Sequence, residues 1–210
     1  MCAALSLLLG FPLAYFLART RTAWRGVLMF LVIAPMMCGV IVHTYGWIVL
    51  LGAEGAVNRV LLWFDIVGAP LRILGTETAV LVALVHTLMP YMVLSLFSGL
   101  TRQDPDLERA ASTLGAGRCR TFLEVTLPLC RTGILMGSAL VFTLAAGAVV
   151  TPALLGGKGM KMLGQTIYDL TLSTLNWPLA SAAESALVIC QFSIIFLYLR
   201  GGRTREGRPG

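Results

Sequence analysis

The side chains in this 210-residue sequence whose types could do chemistry are few and scattered. His43 and His86 lie in apolar surroundings, the first beside Tyr45 and Trp47. Polar groups inside apolar runs are costly in lipid and often line a pathway, but they also serve as interfacial anchors or packing groups, and both readings stand for this set. Glu184 is the one charge in the stretch 179–199 and could face a cation from within it, as Asp65 and Asp169 could from neighbouring segments. Cys2, Cys38, Cys119, Cys130 and Cys190 show no Cys-x-x-Cys or Cys/His ligand spacing, so no metal site is expected and packing is their role. The string Gly156-Gly157-Lys158-Gly159 has the look of a phosphate loop. It has Pro152 where the first glycine belongs and Gly159 where a magnesium-binding hydroxyl belongs. No catalytic residue and no ATP hydrolysis are expected of this chain.

Composition says what must hold these groups. The sequence is 57% hydrophobic and 12% charged, where a soluble domain carries about 25% charged residues. Charge is absent from 1–18, 26–53, 78–101 and 132–157. A helix needs roughly 20 mostly apolar residues to cross a bilayer, and in lipid every amide must be satisfied within its own segment. These runs therefore predict an all-α, polytopic helical membrane protein with about five transmembrane helices, at about 1–18, 27–51, 78–100, 133–151 and 179–199. A transmembrane barrel would alternate apolar and polar residues instead. Pro35 and Pro90 would bend their helices as gating kinks or as packing accommodations.

Orientation follows from the basic residues. Twelve of the sixteen fall in the first loop (Arg19, Arg21, Arg25), the third loop (Arg102, Arg109, Arg118, Arg120, Arg131) and the tail (Arg200, Arg203, Arg205, Arg208). Arg59, Arg72, Lys158 and Lys161 lie on the other side. The positive-inside rule puts the richer side in the cytoplasm. The net charge of +6 is thus a topology signal, and with the arginines dispersed and no aromatic stripe beside them it gives no reason to expect nucleic acid. On this topology Met1 lies outside. The first run has neither the charged start nor the cleavage pattern of a signal peptide, so a further helix upstream is expected.

The third loop, 101–131, is too long and too patterned for a simple turn. Asp104-Pro105-Asp106 supplies a cap, a first-turn proline and an acid. Leu107, Ala110, Ala111 and Leu114 follow at helical spacing, Gly115 ends the stripe, and a second amphipathic piece starts near Arg118, with Arg120 and Glu124 placed for an i, i+4 pair. Such a unit would dock in a partner's groove or lie on lipid headgroups. On the other side, a short lateral helix is expected around 57–64. An amphipathic helix over 163–175 would be either a docking site or a packed connector. The tail 201–210 is expected to be disordered.

The string Glu108-Arg109-Ala110-Ala111, with Gly115 four positions on and Val125-Thr126-Leu127-Pro128 beyond it, resembles the EAA loop of ABC importer permeases. Phe11-Pro12-Leu13-Ala14-Tyr15, Ala34-Pro35, Met89-Pro90-Tyr91, Thr151-Pro152-Ala153-Leu154-Leu155-Gly156-Gly157 and Asn176-Trp177-Pro178-Leu179 extend the likeness along nearly the whole chain, toward the spermidine/putrescine-type branch of the type I importers. Members of that family usually carry six spans, so the resemblance starts at the second of them.

The resemblance implies a bacterial inner-membrane, multi-pass permease that works with a second permease subunit, cytoplasmic ATPase subunits and an external substrate-binding protein. ATP would be bound by the partner, and this chain would hold no cofactor. Glu108, Ala110, Ala111 and Gly115 match the motif that meets the ATPase. Leu107 and Leu114 would complete the groove-packing stripe, and Glu108 would offer its charge to an ATPase arginine or to the loop's own helix ends. His43, Tyr45, Trp47, His86 and Glu184 are the candidates for the substrate path. A permease for ferric iron, a sulfate-like oxyanion or a phosphonate, or a stand-alone membrane channel or enzyme, are the alternative functions.

Overall fold

A computed structural model describes residues 1–20, 23–65, 67–157 and 162–203. Lys158, Lys161 and residues 204–210 lie outside the described residues, whereas 201–203, expected to be disordered with them, continue the last helix. The centre of the fold is a layer of three helices: α1 (Cys2–Arg19), α5 (Glu77–Thr101) and α9 (Arg131–Ala146). Their shared core joins Phe11, Ala14 and Leu17 of α1 to Leu88, Met92, Val93, Leu96 and Leu100 of α5 and to Val141 and Ala145 of α9. Lipid tails are as apolar as leucine, so helices in a bilayer associate through close packing at small residues and through hydrogen bonds between them. Both devices are present on the α5/α9 seam. Gly133 lies against the backbone of Ser95, Gly137 lies against the side chains of Met92 and Ser95, and Ser95 Oγ donates to the Gly133 carbonyl at 2.9 Å.

The single helix expected over 27–51 is broken. The structure has α2 (Arg25–Met37) and α3 (Val40–Leu51), with Cys38 and Gly39 in extended conformations between them. The helix runs past Pro35 to Met37, and the chain leaves helical geometry at Cys38 and Gly39. Pro90 behaves differently, lying buried inside the unbroken 25 residues of α5.

The helix expected over 133–151 also ends early. It begins at Arg131 and stops at Ala146, after which α10 (Val150–Leu155) forms a separate short helix. The turn at Gly147 lets Gly164 approach so closely that a Cβ on Gly164 would stand 3.0 Å from the Gly147 backbone. It also brings α10 onto α3 and α5, where Leu155 joins Val80, Ala83 and Leu84 in a second buried cluster and Thr44 and Thr151 meet hydroxyl to hydroxyl at 3.3 Å.

The lateral helix appears as α4 (Ala56–Trp63) and the second connecting helix as α11 (Leu163–Leu172). The short α6 (Pro105–Thr113), α7 (Arg118–Thr121) and α8 (Leu127–Leu129) make up the third loop. The long α12 (Trp177–Arg203) closes the chain and packs on α9 and α11. Among the described residues, four helices are long and apolar enough to cross a membrane, Cys2–Arg19, Val40–Trp63 taken across the turn at Gly52, Glu77–Thr101 and Trp177–Phe196. A fifth is counted if α9 and the bent segment before it form one span.

At the α4 end, Asn58 is fully buried and ties together the chain on either side of that helix. Its Nδ2 donates to the carbonyls of Gly52 and Leu71 at 2.9 and 3.0 Å, and its Oδ1 accepts from the Leu71 amide at 2.9 Å. Removing it strands an amide and two carbonyls. Asn58→Ala is therefore expected to lower stability by about 2 kcal/mol and to open the 52–71 segment to limited proteolysis in detergent, while Asn58→Asp recovers little because two donated bonds are lost. An unchanged digestion pattern would show that the segment is held by other contacts.

Candidate functional site

The third loop is built as its sequence pattern suggests, with one addition. Asp104 caps α6 by accepting from the Asp106 amide at 2.9 Å, and Asp106 pairs with Arg109 on the exposed face at the same distance. Gly115 takes a left-handed conformation, φ +84°, with the Gly115 amide on the Ser112 carbonyl and the Ala116 amide on the Ala111 carbonyl, each at 3.1 Å. This is the Schellman closure, in which a side chain on the left-handed residue would be strained. The Arg120–Glu124 pair forms at 3.0 Å. After α7, however, the chain makes a π-helical turn over Phe122–Thr126 before α8, and the whole segment bends 66° into α9. One extra residue in the turn rotates the helix beyond it, and such turns recur at functional sites.

That turn completes a clasp. Phe122 sits edge-on to Phe11 at 5.2 Å and to Tyr15 at 6.3 Å between ring centroids. Thr126 Oγ1 donates to Glu108 Oε1 at 2.8 Å, Arg19 Nη2 donates to the same oxygen at 2.7 Å, and the Tyr15 hydroxyl donates to Oε2 at 3.2 Å. The side chains of Arg19 and Glu108 are only 20% and 19% exposed. Burial pushes the Glu108 carboxyl up, but the hydrogen bonds from Arg19, Thr126 and Tyr15, together with the guanidinium charge, outweigh it and hold the group below its ordinary value. Glu108 thus turns inward onto the end of α1, and not toward the loop's own helix ends. In this geometry its charge is spent within the chain instead of being offered outward.

The apolar stripe on the adjacent face of α6 has no such partners. Leu107 is 47% exposed and Leu114 89% exposed, with Ala110 exposed beside them and Ala111 half-buried. One short helix therefore carries an anchored polar face and an open apolar one. Arg19, Tyr15 and Thr126 escape any local motif, since they lie 89, 93 and 18 residues from Glu108. The available signal is the i, i+4 spacing of Tyr15 and Arg19 at the charged end of an apolar helix. The pair also places the first and third loops at one end of the bundle, where Arg25 covers the Phe97 ring at 5.1 Å.

Of the pathway candidates, three come together. His86 Nδ1 stands 2.9 Å from His43 Nε2, their rings stacked with centroids 4.9 Å apart. Trp47 Nε1 donates to the same His43 nitrogen at 3.3 Å, and its ring meets His86 edge-on at 5.4 Å. Tyr45, exposed on α3, and Glu184, exposed on α12, are not part of this cluster. His43 sits in the first turn of α3, just past the break at Cys38–Gly39.

An apolar helical bundle with a structured hook fastened at one end defines an integral membrane protein. Residues 7–205 match the binding-protein-dependent transport system inner membrane components, and the chain belongs to that family. It is 37% identical over 197 residues to the spermidine/putrescine transport system permease protein PotB of Haemophilus influenzae, covering 94% of this chain and 69% of that protein. It is 34% identical to PotB of Escherichia coli K12, over 94% of this chain and 72% of that one. Its fold matches a crystal structure of a bacterial alginate ABC transporter in complex with an alginate pentasaccharide-bound periplasmic protein, with TM-score 0.76 and 18% identity, covering all of this chain and 77% of the other. The chain is thus a multi-pass permease component of the bacterial inner membrane, a transport subunit and not itself an enzyme.

Proposed function

We propose that this chain is one permease subunit of a polyamine importer, taking spermidine or putrescine from a binding protein and coupling to separate ATP-hydrolysing subunits through the loop 101–131. The similarity to the two PotB proteins supports the substrate class. The observation that carries the coupling role is the open apolar face of α6, Leu107, Ala110 and Leu114, on a helix whose other face is locked to α1 by Glu108. A surface of that kind fits a hydrophobic groove on a partner, and the clasp makes the loop and α1 move together. The end bearing Arg19, the loop and the start of α9 is then the cytoplasmic one, as the basic residues suggest. ATP stays on the partner subunits. A second permease subunit faces this one, and closure of the ATPases rocks the helices between inward-open and outward-open states.

The test is reconstitution in proteoliposomes with the second permease, the ATPase and the binding protein, measuring ATP-driven uptake of spermidine. Leu114→Asp places a charge in the apolar contact and is expected to release the ATPase on co-purification and to lower uptake by about tenfold or more. Unchanged association would overturn the docking role of α6. Absence of spermidine uptake by the intact complex would overturn the substrate class.

A further inference from the structure

The His43–His86–Trp47 cluster has a fixed hydrogen-bond polarity, and that polarity selects a ligand. The Trp47 indole can only donate, so His43 Nε2, which receives it at 3.3 Å, is an unprotonated acceptor. The 2.9 Å contact to the same atom is then satisfied by the tautomer in which His86 Nδ1 carries the proton, the two N–H groups sharing the one lone pair of His43 Nε2. A neutral imidazole carries one N–H, so with the proton of His86 on Nδ1 its Nε2 is a bare lone pair. His86 is exposed, and no described residue bonds that nitrogen. The indole and the two rings thus act as a relay that orients one acceptor outward from the α3/α5 face.

Position decides what meets it. His86 is nine residues into α5 from Glu77, about 14 Å along the helix and near the middle of a bilayer about 30 Å thick. A bare acceptor at that depth is unfavourable against lipid, so the face it lies on borders water or a partner lined by water. The helix break at Cys38–Gly39 beside it fits the same setting, because interrupted helices at membrane depth are tolerated where they line a cavity. α3 and α5 carry no Lys or Arg, and Glu77 at the far end of α5 is the only charge on either. An oxyanion would find no cationic side chain on either helix. A protonated amine would find an acceptor nitrogen and stacked aromatic rings.

We infer that the cluster is a step on the translocation path that accepts a hydrogen bond from a protonated amine of the cargo at His86 Nε2, with His43 and Trp47 as positioning residues. This rests on the permease reading above and deepens it from a substrate class to a contact.

The test uses the whole reconstituted transporter with spermidine as probe, reading uptake and the ATPase activity stimulated by loaded binding protein in parallel. His86→Gln keeps an acceptor, His86→Phe keeps a ring without one, and His86→Lys places a fixed cation there. Uptake by His86→Gln is expected near that of the unaltered protein, His86→Phe lower by about tenfold, and His86→Lys lowest, with stimulated ATPase activity retained in all three. Phe or Lys equal to the unaltered protein, or Gln no better than Phe, overturns the inference while leaving the permease intact. If stimulated ATPase activity falls in step with uptake in every variant, the cluster is structural and the inference fails. No spermidine uptake by the unaltered complex removes the permease reading's substrate and this inference with it.

Discussion

Reversing either charge of the Arg19–Glu108 pair alone is expected to abolish coupled uptake, and reversing both, with glutamate at 19 and arginine at 108, to restore a substantial part of it. Arg19 is not part of the loop's motif, so a role for Glu108 confined to the ATPase surface predicts no rescue. The geometry predicts rescue because the two side chains answer each other at 2.7 Å while both are about four-fifths covered. Leaving a covered charge unpaired costs more than an exposed pair gains. For a pair still partly reached by water the loss is about 2 kcal/mol, which corresponds to more than tenfold in an equilibrium between docked and free loop. Arg19→Glu would place two carboxylates together beside the Tyr15 hydroxyl, and Glu108→Arg two guanidiniums. Spermidine uptake and stimulated ATPase activity in proteoliposomes read the effect, and continued ATPase activity without uptake in the single variants marks lost coupling. Rescue that fails while each variant still assembles would refute the clasp.

The same clasp sets a pH dependence. A carboxyl held below its ordinary value stabilises the docked loop at every pH above the carboxylate range. That contribution is lost as pH falls from the ordinary carboxylate value through the lowered one. The distance between spin labels on α6 and α1 is therefore expected to stay fixed from neutral pH down to the ordinary carboxylate range and to broaden below it. In Glu108→Gln, which cannot carry the charge, the broad distribution is expected at neutral pH as well.

How far the sequence reached depended on whether a feature is local. The cap at Asp104, the turn at Gly115 and the Arg120–Glu124 pair all act within a few residues, and each stands where its spacing put it. The membrane helices were legible from charge-free length, a property of single segments. Their interruptions were not, since Pro35 and Pro90 carry the same local signal and only α2 breaks near its proline. What separates them is packing. Pro90 is buried inside the unbroken α5, whereas no residue of α2 is buried.

The inward turn of Glu108 escaped the sequence for a related reason. An acid in an amphipathic loop looks the same whether its partner is a second protein or a tyrosine and an arginine 93 and 89 residues upstream. The π-helical turn that delivers Thr126 leaves no mark in Phe122-Leu123-Glu124-Val125-Thr126, whose residue types would suit an ordinary helical turn equally well. His43 and His86 were visible as types, but their 2.9 Å contact needs α3 to restart after Cys38–Gly39.

Gly133→Leu is expected to damage the α5/α9 seam strongly. The seam between α5 and α9 is set by how closely their backbones approach, and an ideal Cβ at 133 would stand 3.0 Å from the Ser95 carbonyl oxygen and 3.5 Å from the Leu96 Cα. Backbone cannot swing aside as a side chain can, so α9 must move away. That separation weakens the Ser95 Oγ bond to the Gly133 carbonyl and opens the contacts around Leu96 and Leu100, which are fully buried. Overpacking of a tight core costs about 1–3 kcal/mol, and loss of the interhelical hydrogen bond adds about 0.6 kcal/mol. Gly137→Ala makes a useful contrast. Its new Cβ would approach the Met92 Sδ at 2.8 Å and the Ser95 Cβ at 3.1 Å, but the nearer atom belongs to the outer part of a flexible side chain that can yield. Thermal unfolding followed by size-exclusion fluorescence in detergent is expected to show a clear fall in Tm for Gly133→Leu and a small one for Gly137→Ala. Because α9 carries the bent segment that delivers Thr126 to Glu108, the first variant should also loosen the coupling loop, a change readable as faster cleavage near Gly117 by added protease. Equal Tm for both variants would show that the seam is softer than its distances imply.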